Sequence, residues 1–223
     1  MKNKILYILF SVLLSNFILI TANSNEQFNF NITEIEILND GNTLKGKKRG
    51  TVETNNGVMI TADTFEYDKL SNVLNANGNV EIIDSKKDLK IYSDNIIYEK
   101  NNEIITTDQN SKALYGDGKF IYADSFKLNR AKGTLNAKNN VKIENTIEDY
   151  LIAGNDFTYY KNSEKIISDG YTKAFIQSKY EITSSDVTYL INENNLISEK
   201  KTKIEDKNSQ VYFIEKFNYK INN

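Results

Sequence analysis

The feature that most constrains this chain is a motif that returns about every 30 residues, the mark of a repeat architecture. Ile60-Thr61-Ala62-Asp63-Thr64-Phe65-Glu66-Tyr67 comes back as Ile91 to Tyr98, Ile121 to Leu128, Ile152 to Tyr159 and Ile182 to Tyr189. Each copy continues through a polar turn into a second alternating segment. In the first, Leu74, Ala76, Val80 and Ile82 share one face, because side chains alternate along a strand. Leu135, Ala137, Val141 and Ile143 repeat that segment almost letter for letter. Phe28 to Leu38 reads as a degenerate first copy, and Tyr212 to Tyr219 as a last half-copy that stops at Asn223.

Two strands per unit and no helical period downstream of the first residues predict an all-β chain. Two facing, mostly antiparallel curved sheets would bury the Ile, Phe, Tyr and Val set. The competing architecture is a β-solenoid of parallel, in-register copies, serving as a surface or adhesin-type structural protein without a lipid ligand.

The motif carries a parity slip. Ile60 and Ala62 share one parity and Phe65 and Tyr67 the other, so a bend or bulge is expected at Asp63. Asp63, Asp94, Asp124, Asn155 and Ser185 hold this structural corner in successive copies. Their side chains are expected to accept hydrogen bonds from backbone amides that the bulge frees.

Composition removes much chemistry. The 223 residues include no Cys and no His. Thiolate metal sites, the commonest metal ligand and every Ser-His or Cys-His dyad are therefore absent. Asp63 with Glu66, Asp94 with Glu99 and Asp186 with Glu193 are acidic pairs, but each lies in a repeated or solvated position. No catalytic residues, metal or cofactor are expected, and the chain reads as no enzyme. A net charge of -2 speaks against nucleic acid. The 14 Tyr and 11 Phe are core packing or, alternatively, stacking platforms for sugars or bases. Small residues at matching positions (Ala62, Ser93, Ala123, Gly154, Ser184) allow either close sheet packing or a groove.

At the N-terminus, Lys2 and Lys4 precede an apolar run from Ile5 to Ile20, with small residues at Ala22 and Ser24. This is a secretory signal pattern, with a retained anchor as the alternative. The expected organisation is a signal peptide over 1–24, an N-terminal β extension and basic loop over 25–50, and a β domain over 51–223. Lys45, Lys47, Lys48 and Arg49 in the basic loop are solvated charges or contacts for an anionic partner.

The pattern Ile-x-Ala-Asp-x-Phe-x-Tyr, a turn, then Leu-x-Ala-x-Gly-Asn-Val-x-Ile resembles the OstA-like lipopolysaccharide-transport family. Ile60 to Tyr67, Leu74 to Ile82, Ile121 to Leu128 and Leu135 to Ile143 carry the likeness, which spans roughly Thr51 to Tyr219. The opening stretch Phe30 to Ile37, with Gly46 and Arg49-Gly50, is most similar to the N-terminal periplasmic domain of the LptD type, and next to the LptA-type bridge protein. The resemblance implies a twisted or V-shaped β-jelly roll. It implies a periplasmic, outer-membrane-associated carrier that holds lipopolysaccharide acyl chains in an apolar groove on the way to the outer membrane. Implied partners are lipopolysaccharide, related jelly-roll proteins joined by edge-strand β-augmentation, and an outer-membrane barrel. On this reading the groove would be lined by Ile60, Phe65, Tyr67, Leu74, Val80, Ile82, Ile91, Ile96, Phe126, Leu128, Leu135, Val141, Ile143 and Phe157. The chain is then either a truncated LptD-type protein or a separate short carrier.

Overall fold

The computed structural model describes residues 28–116 and 118–221. The expected signal peptide lies outside the described residues. Those residues form 21 strands, numbered here β1 to β21, and every pairing between them is antiparallel. A solenoid would stack its copies in parallel, so that architecture is excluded. The fold is an all-β jelly roll.

Five long strands organise it: β7 (Val73–Asp84), β8 (Leu89–Glu99), β13 (Thr134–Asn145), β14 (Tyr150–Tyr160) and β15 (Lys165–Ile176). Each bends near its middle. The halves of β7, β8, β13 and β15 each change one neighbour across the bend, while β14 stays between β13 and β15, and two layers result. The first layer starts at β2 (Ile35–Leu38), β3 (Thr43–Gly46) and β6 (Thr64–Asp68) and reaches halves of β7 and β8. It continues through β9 (Ile104–Asp108) and β12 (Ser125–Asn129) into halves of β13, β14 and β15. It closes with β17 (Thr188–Leu190), β18 (Asn195–Ser198) and β21 (Phe217–Lys220).

The second layer runs from β1 (Phe28–Asn31) through β4 (Gly50–Thr54) and β5 (Val58–Ala62) to the other halves of β7 and β8. Then come β10 (Ser111–Leu114), β11 (Lys119–Ala123) and the remaining halves of β13 to β15. It ends with β16 (Tyr180–Ser185), β19 (Thr202–Asp206) and β20 (Val211–Ile214). The strands at 28–46 pair into both layers as outer strands.

The 30-residue period now has a geometric cause. It is the chain length needed to cross both layers, turn, and come back. Each period therefore sets equivalent side chains beside one another. In the second layer Ile60, Ile82, Ile91, Ala113, Ile121, Ile143 and Ile152 form one cross-strand row. Opposite it, the first layer offers Tyr67, Leu74, Tyr98, Ile105, Leu128, Leu135 and Tyr159. Both rows are buried.

The bend falls at Asp63, between β5 and β6, but the extra residues lie on the next strand. Gly78 and Asn79 in β7 both have positive φ, and pairing with β8 skips from Asn77 to Val80. Gly78 is required twice over: its φ is +79°, and a Cβ would meet Asp63 Oδ2 at 2.6 Å. Gln109–Asn110 and Asn139–Asn140 supply the same pair of left-handed residues in later copies.

Candidate functional site

Three regions could carry function: the bend where the layers part, the interior between them, and the mouth where their hairpin tips meet again.

At the bend, Asp63 Oδ2 accepts from Asn79 Nδ2 at 2.6 Å and Asp94 Oδ2 from Asn110 Nδ2 at 2.6 Å. Asp124 takes Asn140 Nδ2 at 3.0 and 3.1 Å on its two oxygens. In all three the carboxylate partner is an asparagine side chain 16 residues on, where a backbone amide was expected. The amide contact occurs in the last copy, where Gly170 N donates to Asp186 Oδ1 at 2.9 Å. The corner residue there is thus Asp186, not Ser185. Asn155 in β14 stands opposite the bulge in β15, where Gly170 and Tyr171 are the two residues skipped between Asp169 and Thr172. Hydrogen bonds from Arg49 and Asn79 hold the Asp63 carboxyl below its ordinary pKa. Arg49 also pairs with Asp63 at 2.8 Å, and Lys45, Lys47 and Lys48 lie against Glu66, Glu36 and Glu34. The basic loop is therefore charge-paired on the protein's own surface.

The small residues cluster inside the same bend. Where the strand carries no apolar pair such as Ala76 and Val80, two hydroxyls bond each other across it. Thr107 and Ser111 lie 2.6 Å apart and Thr172 donates to Ser168 at 2.7 Å. Their spare capacity goes to backbone, as with Phe126 N donating to Thr107 Oγ1 at 2.8 Å. These residues serve close approach of the layers.

All fourteen expected groove residues face the interior and are buried: Ile60, Phe65, Tyr67, Leu74, Val80, Ile82, Ile91, Ile96, Phe126, Leu128, Leu135, Val141, Ile143 and Phe157. They belong to one buried cluster that spans both layers, each no more than 8% exposed. A void of about 20 Å³ lined by Leu89, Tyr115, Leu128, Leu135 and Tyr159 is about the size of one water. An acyl chain needs the layers to separate first.

The mouth decides whether they can. Apart from the tyrosines that close the repeated motif, its residues were not singled out in the sequence. Near the N-terminal end, Arg130 from the β12–β13 turn reaches across to Asp84 at the end of β7, with Nε to Oδ2 at 2.7 Å. Their side chains are 6% and 1% exposed. Arg130 also contacts Glu103, which takes Lys100 and, at 2.9 Å, the Tyr98 hydroxyl. Asn56, from the other layer, donates to Glu103 at 2.8 Å. Burial works against the Arg130 charge, but the hydrogen bond to Asp84 and the charges of Asp84 and Glu103 outweigh it and raise its pKa. Burial likewise opposes the Glu103 charge, yet Lys100 and Tyr98 hold its carboxyl below the ordinary value.

Further along, the junction is aromatic. The Tyr115 and Tyr159 rings lie 5.4 Å apart, Tyr150 donates to the Tyr189 hydroxyl at 2.7 Å, and Tyr180 meets Tyr219 at 5.8 Å. Burial raises the pKa of Tyr115, Tyr150, Tyr159 and Tyr189, so these phenols stay neutral. At the other extreme Phe28 packs on Tyr67 and Tyr98. One line of contacts thus closes the mouth from end to end, and none of it is covalent.

Among the described residues no group of three or more acidic side chains is placed to hold a metal ion. No protein-family model matches the chain. No curated protein sequence matches it. Among solved structures it is similar to the crystal structure of LptH, the LptA-homologous periplasmic component of the lipopolysaccharide transport device of Pseudomonas aeruginosa. The two share 15% identity at a TM-score of 0.41, over 47% of this chain and 76% of that one.

Proposed function

We propose that this protein is a non-enzymatic periplasmic carrier that holds the acyl chains of lipopolysaccharide between its two layers and delivers them towards the outer membrane. The observation that carries the reading is the pair of opposed apolar rows, Ile60 to Ile152 and Tyr67 to Tyr159, meeting at a mouth closed by non-covalent contacts. Each CH₂ kept from water is worth about 0.8 kcal/mol, so a chain of several methylenes can replace the mouth contacts it breaks. The bend stays hydrogen-bonded while the tips part, which gives the motion a hinge. The likeness of the opening stretch favours an LptD-type N-terminal domain, with a barrel as partner, over an LptA-type bridge.

The outer strands support a relay of such domains. All four residues of β20 are exposed, Phe213 at 80%. A bare strand of this kind accepts another by β-augmentation.

A photo-crosslinking residue at Phe126 or Ile143 should capture lipopolysaccharide, while one at Thr61, on the outer face of β5, should not. Failure at both interior positions would overturn the carrier reading. The closed packing favours a second reading, a structural module with no lipid ligand, and that same failure would support it.

A further inference from the structure

The outer face of the second layer carries a feature that the interior does not require. The repeat places Lys112, Lys142, Lys173 and Lys203 at one position in four successive copies. Cross-strand registers put them in a single line, alternating with Tyr122, Ala153 and Thr183. Neighbouring outer positions show no such constancy: 83, 114, 144, 175 and 205 hold Ile, Leu, Glu, Phe and Glu. Basic residues number 28 of 223, so four in register are not expected from composition. Lysines on edge strands often serve to block pairing. These four lie on β10, β13, β15 and β19, each flanked by strands on both sides.

The middle of the line lies in a shallow trough of about 950 Å³. Lys112, Lys142 and Lys173 line it, with Tyr122 on its floor and Tyr171 beside it, 63% exposed. Asp124 and Glu144 also face the trough. Lys112 lies 4.3 Å from the Phe120 ring centroid, and Lys173 pairs with Glu181 at 2.6 Å. Lys142 is exposed and has no carboxylate of the described residues within ion-pair distance.

We infer that this trough binds a linear acidic glycan. Two strand steps separate successive lysines, about 9.5 Å, which suits a stiff polymer charged on every second sugar. Tyr122 between Lys112 and Lys142, and Tyr171 beside the line, offer flat faces to sugar rings. Asp124 and Glu144 can accept sugar hydroxyls, whereas they would repel a polymer charged at every unit. The site is on the outer face and does not depend on the interior reading.

The test titrates the full chain with a hyaluronan octasaccharide, whose charge recurs on every second sugar. Parallel arms use neutral N-acetylglucosamine oligomers, polyphosphate and oligo(dT). Hyaluronan should bind best, with an affinity that falls with salt. Lys142→Gln should weaken it about threefold, and Lys112→Gln/Lys142→Gln/Lys173→Gln about 30-fold. Tyr122→Ala should weaken it and leave the salt dependence unchanged. Circular dichroism should match wild type, since these side chains face outward. No binding of hyaluronan, equal binding of the other polyanions, or an unaltered affinity in the folded triple variant would each overturn the assignment.

Discussion

The two halves of the mouth solve one problem with different chemistry. Around Arg130 the layers are joined by buried charge: Asp84 and Glu103 pair with the guanidinium, and Lys100 pairs with Glu103. Around Tyr189 they are joined by neutral phenols and ring packing. A charged junction is sensitive to loss of one partner and to pH, because a buried charge left alone is costly. A phenolic junction is worth less per contact and ignores pH over the range in which proteins are handled. The two ends of the mouth should therefore open under different conditions.

The largest effect should come from Arg130→Met. It leaves Asp84 buried without its cation and should lower stability by about 3–5 kcal/mol in urea unfolding. Little or no loss would mean the charged end does not hold the layers together. Tyr189→Phe removes the bonds to Tyr150 and Asn194 and should cost about 1–2 kcal/mol, with faster amide exchange confined to β14 through β18. Exchange that spreads to β7 would contradict two separable ends.

Acid should act on the charged end alone. The folded Glu103 pKa is depressed, so its contribution is complete above the ordinary carboxylate value of 4.5 and is lost as pH falls through the folded value. As pH is lowered, protection of the amides, relative to their intrinsic exchange rates at each pH, should fall first around 98–103 and 129–134, leaving Tyr189 protected. Simultaneous loss at both ends would remove the distinction. The smallest effect belongs to the bend. Asp124→Ala deletes an exposed contact with Asn140 and should cost no more than about 1 kcal/mol by thermal unfolding. A larger loss would move the hinge's stability from its backbone pairing to its corner side chains.

Much of the architecture was legible because the repeat encodes it. Apolar parity marked the interior rows, and the slip at Asp63 marked the bend. The asparagines that answer the corner carboxylates were also in view: Asn79, Asn110 and Asn140 recur at the repeat period. They were missed because a bulge was assumed to free amides, whereas it turns two residues left-handed and presents a side chain. Arg130 was a different matter. Its partner Asp84 lies 46 residues away in the other layer. The repeat reports neighbours within a layer, and a contact between tips depends on how the layers fold over each other. The same limit hid the closure of the interior. Alternation shows which side chains face inward, but not whether the two faces touch.

The central claim is that lipid reaches the interior through the mouth. The chain has no cysteine, so two can be placed freely. Lys87 and Lys161 line one small void from opposite layers and lie outside the contacts described above. Lys87→Cys/Lys161→Cys, bridged by a reducible cross-linker, would tie the mouth shut. With a photo-crosslinker at Phe126, lipopolysaccharide capture should be lost in the bridged protein and return on reduction. Equal capture before and after reduction, or none in either state, would contradict the account.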